Sequence, residues 1–374
     1  MKTYTTSERT KVIYNTVVDV FNWNKSSDRI TPLDFVRKQF EDVPVQGTIC
    51  IPGAGIGTYV LVALEKGFLP ENITAVEIDP MYYELGSGMF KLPFGVNYVH
   101  TDFLTWEPNM KFDVVIGNPP YQSPKNVNGA KSPQPLWRKF LVKSSDLIED
   151  GGYIYLLVPS SVAKFHCEGK VSPALQKVPD LSVLSIDTSL ESFFKVGTEI
   201  SLISFTKGNQ EEFIRLNDKP WNWKKMPWVP RVSDENSVAL LQKLFSIKGR
   251  LKFVPQYHWK PLDINTNTSI GTWGMNRGKD YGIQSLQGFE NLDRKVHLMC
   301  CEFPSQKQRE KAILLFKSPV YRFLKAMLMF GSDVAFSTLS SLPVPDGWKS
   351  INSIEEATSS FKLTSKELQI IEKY

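Results

Sequence analysis

Seven apolar runs of five to seven residues recur between positions 47 and 206, and the stretches between them can carry helices. The runs are GTICI (47–51), ITAVEI (73–78), VNYVH (96–100), FDVVIG (112–117), YIYLLVP (153–159), LSVLSI (181–186) and EISLISF (199–205). Several are β-branched with no polar alternation, which is the texture of central strands covered on both faces. TYVLVALEKGF (58–68) and PLWRKFLVKSSDLIEDGG (135–152) lie between them as helix candidates. In the second, Leu136, Phe140, Leu141, Ser144 and Leu147 fall near helical spacing, and Gly151-Gly152 reads as the stop. Strands alternating with helices predict an α/β fold with a doubly wound, Rossmann-like sheet.

The texture changes beyond residue 207. Polar KGNQEE is followed by PWNWKKMPWVPR (220–231), and five of the nine tryptophans fall between 221 and 273. This is too apolar for a linker, so a second, mixed α/β domain is expected. The division expected is an N-terminal extension (1–30), a first domain (31–207), a second domain (208–345) and a helical tail (346–374). KAILLFKSPVYRFLKAMLMF (311–330) is helix-like with an interruption near Pro319, and the chain from Ile351 reads as one short peripheral helix. Residues 1–210 carry 20 basic and 22 acidic side chains (net −2), while 211–374 carry 24 and 17 (net +7). A near-neutral front and a basic back suit a domain joined to one that binds a polyanion. Lys224, Lys225 and Arg231, set among Trp221, Trp223 and Trp228, are candidate nucleic-acid contacts, and a buried aromatic cluster is the equal alternative.

Cys50, Cys167, Cys300 and Cys301 show no CxxC pairing, and His100, His166, His258 and His297 are scattered, so no metal is expected. No apolar run is long enough to cross a bilayer, and MKTYTTSERT lacks the apolar core of a signal peptide. The expectation is a cytoplasmic protein with no membrane partner.

The first strand runs into Pro52-Gly53-Ala54-Gly55-Ile56-Gly57. Glycines there let the backbone turn sharply and approach a ligand at the carboxyl edge of a strand. The spacing is GxGxG, not the GxGxxG of dinucleotide sites, and no Lys-Ser/Thr follows to make a P-loop. Glu77, with Ile78 after it, ends the second strand 20 residues beyond Gly57, where a carboxylate can accept both hydroxyls of a ribose. Asp102, just after the third strand, can accept from an adenine amino group, and Phe103 can pack on its ring. Together these describe a nucleoside pocket.

Asn118-Pro119-Pro120-Tyr121 directly follows FDVVIG. An exocyclic adenine nitrogen is a poor nucleophile because its lone pair is delocalised into the ring. The Asn118 side-chain oxygen and the Pro119 carbonyl can accept its hydrogens, with Pro120 stiffening the loop, and Tyr121 offers a face on which a base can stack.

With these motifs the chain resembles the amino-group DNA methyltransferases, in particular the gamma-class N6-adenine enzymes of restriction-modification systems and their phages. The resemblance covers about residues 30–206, and Thr31-Pro32 stands where that class begins the helix preceding its glycine motif. It implies S-adenosyl-L-methionine as cofactor, held by Thr31, Pro32, Pro52, Gly53, Ala54, Gly55, Gly57, Glu77, Ile78, Asp102, Phe103 and Asn118. It also implies catalysis by Asn118, Pro119, Pro120 and Tyr121, with an aromatic closing on the flipped base from the other side. Phe194 is the best match for that aromatic and Phe193 the alternative, although this chain has Phe-Lys where the class has Phe-Pro. The implied partner is double-stranded DNA, bound by a C-terminal target-recognition domain, and a restriction-modification setting adds a cognate endonuclease. The implied setting is the cytoplasm of a bacterial or phage-infected cell. Alternatives are adenine-N6 methylation of RNA, glutamine methylation of protein, cytosine-N4 methylation, and a non-catalytic DNA-binding subunit. Cytosine-C5 methylation would need a Pro-Cys nucleophile, which the sequence lacks.

Overall fold

The structure, a computed structural model, describes residues 31–45, 47–91, 94–122, 135–159, 180–187, 200–208, 213–222, 234–256, 264–273, 280–288, 298–328 and 336–374, with a few isolated positions besides. The chain divides into two compact units, one of residues 1–163 and 171–221, the other of 164–170 and 222–374.

The first unit is built on β1 (Ile49–Pro52), β2 (Ile73–Glu77), β3 (Asn97–His100), β4 (Phe112–Gly117), β5 (Ile148–Pro159), β6 (Leu181–Asp187), β7 (Ile200–Lys207), β8 (Phe213–Leu216) and β9 (Lys219–Asn222). They form one nine-stranded sheet in the order β3-β2-β1-β4-β5-β7-β6-β8-β9. Strands β3 to β5 pair in parallel, while β7 runs antiparallel between β5 and β6. Every residue of β1 and β2 is buried, as expected of strands covered on both faces. The sheet is doubly wound: from β1 the chain builds outward to β3, then returns to place β4 on the other side of β1. That reversal creates a switch point, and ligands of such sheets bind outside the carboxyl ends of the strands there.

Helices α1 (Leu33–Gln39), α2 (Thr58–Lys66), α3 (Pro80–Gly86) and α4 (Leu136–Leu147) belong to this unit. Leu33, Val36 and Phe40 share a core with Val60, Val62, Ile49, Ile51 and Val114. In α4 the buried side is Trp137, Phe140, Leu141, Ser144 and Leu147, close to the spacing read from the sequence.

Three expectations are corrected by the structure. Gly151-Gly152 does not stop α4: the helix ends at Leu147, Ile148 is already extended, and β5 begins there. The glycines serve an irregularity in the β4–β5 pairing between Phe112 and Val114, where a side chain at Gly152 would crowd the Glu149 and Asp113 carbonyl oxygens. The chain divides after Trp221 rather than at the composition change near 207, because β8 and β9 extend the sheet. Asn217 and Asp218, with φ of 46° and 66°, make the two-residue turn between them, and a type I′ hairpin turn requires positive φ at both positions. The third difference lies in the tail of the second unit.

That unit carries an antiparallel sheet of β10 (Val254–Gln256), β11 (Ser269–Trp273), β12 (Gln284–Ser285) and β13 (Leu298–Glu302), ordered β10-β13-β11-β12. Its helices are α5 (Glu235–Ser246), α6 (Gln306–Phe316), α7 (Pro319–Leu328), α8 (Phe336–Ser341), α9 (Ile354–Ser359) and α10 (Ser365–Ile371). The break between α6 and α7 falls at the expected Pro319. The tail is two helices, not one peripheral helix, and it is integral to the core. Phe361, Ile370 and Ile371 are buried, Tyr374 meets Phe323 edge-on at 5.5 Å, and a capping box of Thr364 and Glu367 starts α10. Among the described residues no helix is long and apolar enough to cross a membrane.

A Cβ at Gly249 would lie 2.2 Å from the Val344 carbonyl oxygen, backbone that is itself tied to Gly249 by the Val344 N–H bond of 2.9 Å. Gly249→Ala is therefore expected to destabilise the protein by about 1–3 kcal/mol through overpacking. Denaturant unfolding checks this, and a midpoint equal to wild type would contradict it.

Candidate active site

Four segments leave the sheet at one edge: Pro52–Gly57 at the end of β1, Glu77–Asp79 at the end of β2, Thr101–Phe103 after β3 and Asn118–Tyr121 after β4. Their strands are parallel neighbours, so the topology alone gathers them. Gly53, Gly55 and Gly57 all have left-handed φ (62°, 55° and 91°). A side chain at Gly53 or Gly55 would meet nothing within 4 Å, so the backbone there borders open space. At Gly57 it would strike the Phe90 ring at 2.3 Å, which makes that glycine a packing requirement.

The loop is tied down from two strands. The Ala54 N–H donates to the Val76 carbonyl at 3.0 Å, and the Tyr98 hydroxyl donates to the Gly55 carbonyl at 2.9 Å. Burial pushes the Tyr98 phenol well above its ordinary pKa, so it stays a donor. Buried Glu77 accepts from Gly55 N–H at 2.7 Å on one oxygen, and from Ile78 N–H and Asp79 N–H, both at 2.8 Å, on the other. Three of the roughly four acceptor positions of a carboxylate are thus taken by the backbone, leaving about one for a ligand. Ile78 is 61% exposed, an apolar platform directly beside that carboxylate. The His100 ring meets the Ile78 carbonyl at 3.1 Å and stacks on Tyr83 at 4.7 Å.

Half-exposed Asp102 spends one oxygen on the Leu104 N–H at 2.9 Å, shaping the turn after β3. Phe103 differs from the expectation of a face for a ligand. It is buried and stacked on Phe140 at 5.3 Å, within the core beneath the turn.

Gly117, just before Asn118, permits close approach of β1, since a Cβ there would sit 3.1 Å from the Pro52 carbonyl oxygen. The Asn118 amide nitrogen donates to the Thr31 hydroxyl at 3.1 Å. With its nitrogen engaged, the amide keeps Oδ1 as an acceptor, and no partner holds that oxygen among the described residues. Pro119 is buried and Pro120 exposed. Tyr121 is half-buried against Phe35, Leu157 and Ile200, and its carbonyl accepts from the Leu136 N–H at 3.0 Å. Thr31 is buried and Pro32 caps α1. Phe193, Phe194, Lys224, Lys225 and Arg231 lie outside the described residues, as do Trp223 and Trp228, while Trp221 is buried in β9. Among the described residues no group of His, Cys, Asp and Glu could hold a metal ion.

Sequence reasoning missed Tyr98, Tyr59 and Gln39. The Tyr59 hydroxyl donates to Gln39 Oε1 at 2.8 Å, and Gln39 Nε2 donates to the Tyr155 carbonyl at 3.2 Å. The available signal was a glutamine and a tyrosine on otherwise apolar helix faces.

Comparison with known proteins agrees with this layout. Residues 93–172, which contain β3 to β5 and the Asn118–Tyr121 turn, match the family model described as Eco57I restriction-modification methylase. The Type II methyltransferase M.VspI of Vibrio sp. (strain 343) is 31% identical over 106 residues, 26% of this chain and 26% of that protein. The Type II methyltransferase M.TthHB8I of Thermus thermophilus is 28% identical over 152 residues, 35% and 34% of the two chains. A tRNA1(Val) (adenine(37)-N6)-methyltransferase of a Flavobacteriaceae bacterium is 26% identical over 125 residues, 32% of this chain and 54% of that one. The matches thus span about a quarter to a half of the length of these relatives. The chain resembles the restriction-modification methyltransferases, and the family-model match takes in two of the four edge segments, Thr101–Phe103 and Asn118–Tyr121.

Glu77→Gln is expected to cost about 1–3 kcal/mol of stability, because an amide cannot accept from all three of its N–H donors. Unfolding in denaturant measures it, and an unchanged midpoint would show that the carboxylate does not anchor the loop.

Proposed function

We propose that this chain is a site-specific DNA methyltransferase that moves a methyl group from S-adenosyl-L-methionine to N6 of a flipped-out adenine. The observation that carries the reading is Asn118: its amide nitrogen is tied to Thr31, its oxygen is left as an acceptor among the described residues, and its strand β4 pairs with β1, which runs into the glycine loop. The pocket fits the cofactor's nucleoside. Gly53 and Gly55 border open space, the remaining acceptor position of Glu77 suits ribose hydroxyls, Ile78 offers an apolar face for adenine, and Asp102 can accept from the adenine amino group. Pro52, Ala54, Gly57 and Pro32 shape this cradle through the backbone. When bound, S-adenosyl-L-methionine supplies a methyl group on a positively charged sulfur.

The residues of this chain then do four things. Asn118 Oδ1 and the Pro119 carbonyl accept the two N6 hydrogens, which favours a pyramidal nitrogen whose lone pair can attack in line. Pro119 and Pro120 restrict the loop that carries those acceptors. Tyr121, with Phe194 opposite, stacks on the extruded base and offsets part of the few kcal/mol that unstacking costs. No residue forms a covalent bond to the substrate, and the surplus proton leaves after transfer.

The second unit, with Lys224, Lys225 and Arg231, is assigned to duplex DNA, because the half of the chain that forms it is net basic. The names of two relatives, Type II methyltransferases, support DNA as the substrate. The tRNA methyltransferase relative supports a second reading, N6 methylation of adenine in RNA, which keeps every role given to the first unit.

Expression in a methylation-free bacterial host, followed by single-molecule sequencing, should reveal N6-methyladenine at one recurrent motif. Unmodified DNA, from a folded protein that binds the cofactor, would overturn DNA as the substrate. Asn118→Ala should lower methyl transfer by about 10²–10³, the usual loss when one group stabilising a transition state is removed. Cofactor affinity by calorimetry should stay near wild type, and full activity would rule out the role given to Asn118.

A further inference from the structure

Ile78 carries an exposed apolar side chain on a backbone that is held at both of its polar atoms. The Ile78 N–H and the Asp79 N–H both donate to Glu77 Oε1 at 2.8 Å, and the Ile78 carbonyl meets His100 Nε2 at 3.1 Å. A carbonyl oxygen can only accept, so Nε2 carries the proton in that bond. The peptide unit between Ile78 and Asp79 is therefore fixed at two ends, its N–H by a carboxylate and its C=O by an imidazole. Strand β3 makes this possible. Glu77 pairs with His100, and the Thr101 N–H donates to the Glu77 carbonyl at 3.0 Å, which keeps the ends of β2 and β3 in register. Tyr98 and His100 are two residues apart on the strand and so project from one face. Tyr98 donates to the Gly55 carbonyl at 2.9 Å, and His100 to that of Ile78. The Tyr83 ring of α3 meets both, tilted on Tyr98 with centroids 6.1 Å apart and stacked on His100 at 4.7 Å. Asp79 starts α3 by accepting from the Met81 and Tyr82 N–H groups, so the helix that carries Tyr83 begins where the held peptide ends.

We propose that His100, backed by Tyr83, is a positioning residue for the cofactor: it holds the Ile78–Asp79 peptide so that the Ile78 side chain stands as a wall of the nucleoside pocket. The glycine loop, another wall of that pocket, is held from the same face of β3 by Tyr98. In water alone, an exposed isoleucine gains nothing from so fixed a backbone. It gains when a flat apolar ring packs on it, because a surface ordered before binding loses less freedom when the ligand arrives. His100 acts on the ligand through Ile78. The inference rests on the assignment of this pocket to S-adenosyl-L-methionine.

Two variants test this. His100→Ala cannot donate to the Ile78 carbonyl, whereas His100→Gln carries an amide nitrogen that can. Titrated calorimetrically, S-adenosyl-L-methionine should bind His100→Ala about threefold to tenfold more weakly than wild type, the range that one hydrogen bond supplies. His100→Gln should recover most of that loss. Adenosine, which keeps the nucleoside and lacks the amino-acid arm, should lose affinity for His100→Ala by the same factor when it competes with the cofactor. Unchanged affinity in folded His100→Ala, equal losses in the two variants, or a loss that adenosine does not share would each overturn the proposal. A further readout needs no ligand. The Asp79 amide, the N–H of the held peptide, should exchange with solvent faster in His100→Ala than in wild type, and at nearly the wild-type rate in His100→Gln. Equal exchange in all three proteins would show that His100 does not hold the peptide. A wild-type chain that binds no S-adenosyl-L-methionine would overturn the cofactor assignment instead, and the exchange rates would still decide the part played by His100.

Discussion

The carboxylate of Glu77 is the point on which the ligand-facing edge depends. It ends β2, yet it accepts the Gly55 N–H of the loop after β1 and the next two N–H groups of its own chain. A glycine-rich loop loses more conformational freedom on ordering than any other kind, so it needs an external tie. A buried charge accepting three backbone donors is such a tie, because each of those bonds is charge-assisted. Tyr98 adds a second from β3, and burial keeps its phenol protonated to donate. The pocket is therefore shaped by its neighbours in the sheet before any ligand arrives.

The Asn118–Tyr121 turn meets the same problem with different means. Asn118 comes after a glycine chosen for close approach to β1, and Pro119 and Pro120 restrict the backbone on its other side. The main chain is thereby held, but the side chain would still be free to flip. Thr31 reaches it from the start of α1, 87 residues earlier in the chain. The segment before the first strand thereby reaches the turn after β4 and occupies the nitrogen of the Asn118 amide.

Much of this was legible in the sequence, and the reasons differ from element to element. The seven apolar runs became seven strands, five of them in the parallel part of the sheet and β6 and β7 in its antiparallel part, because a sheet covered on both faces leaves little choice of periodicity. Glu77, Asp102 and Asn118 were legible because topology places any residue just past such a strand on one edge. Gly151-Gly152 misled because glycine marks both helix ends and strand irregularities, and only the pairing of β5 with β4 distinguishes them. The β8–β9 hairpin was overlooked because edge strands alternate in burial and come after a polar stretch, although Asn217-Asp218 between two extended runs was a usable turn signal. Phe103 looked available because nothing local reveals that Phe140 covers it. Gln39 and Tyr59 carried no motif at all: their partners lie 116 and 20 residues away, and such pairings exist only in three dimensions.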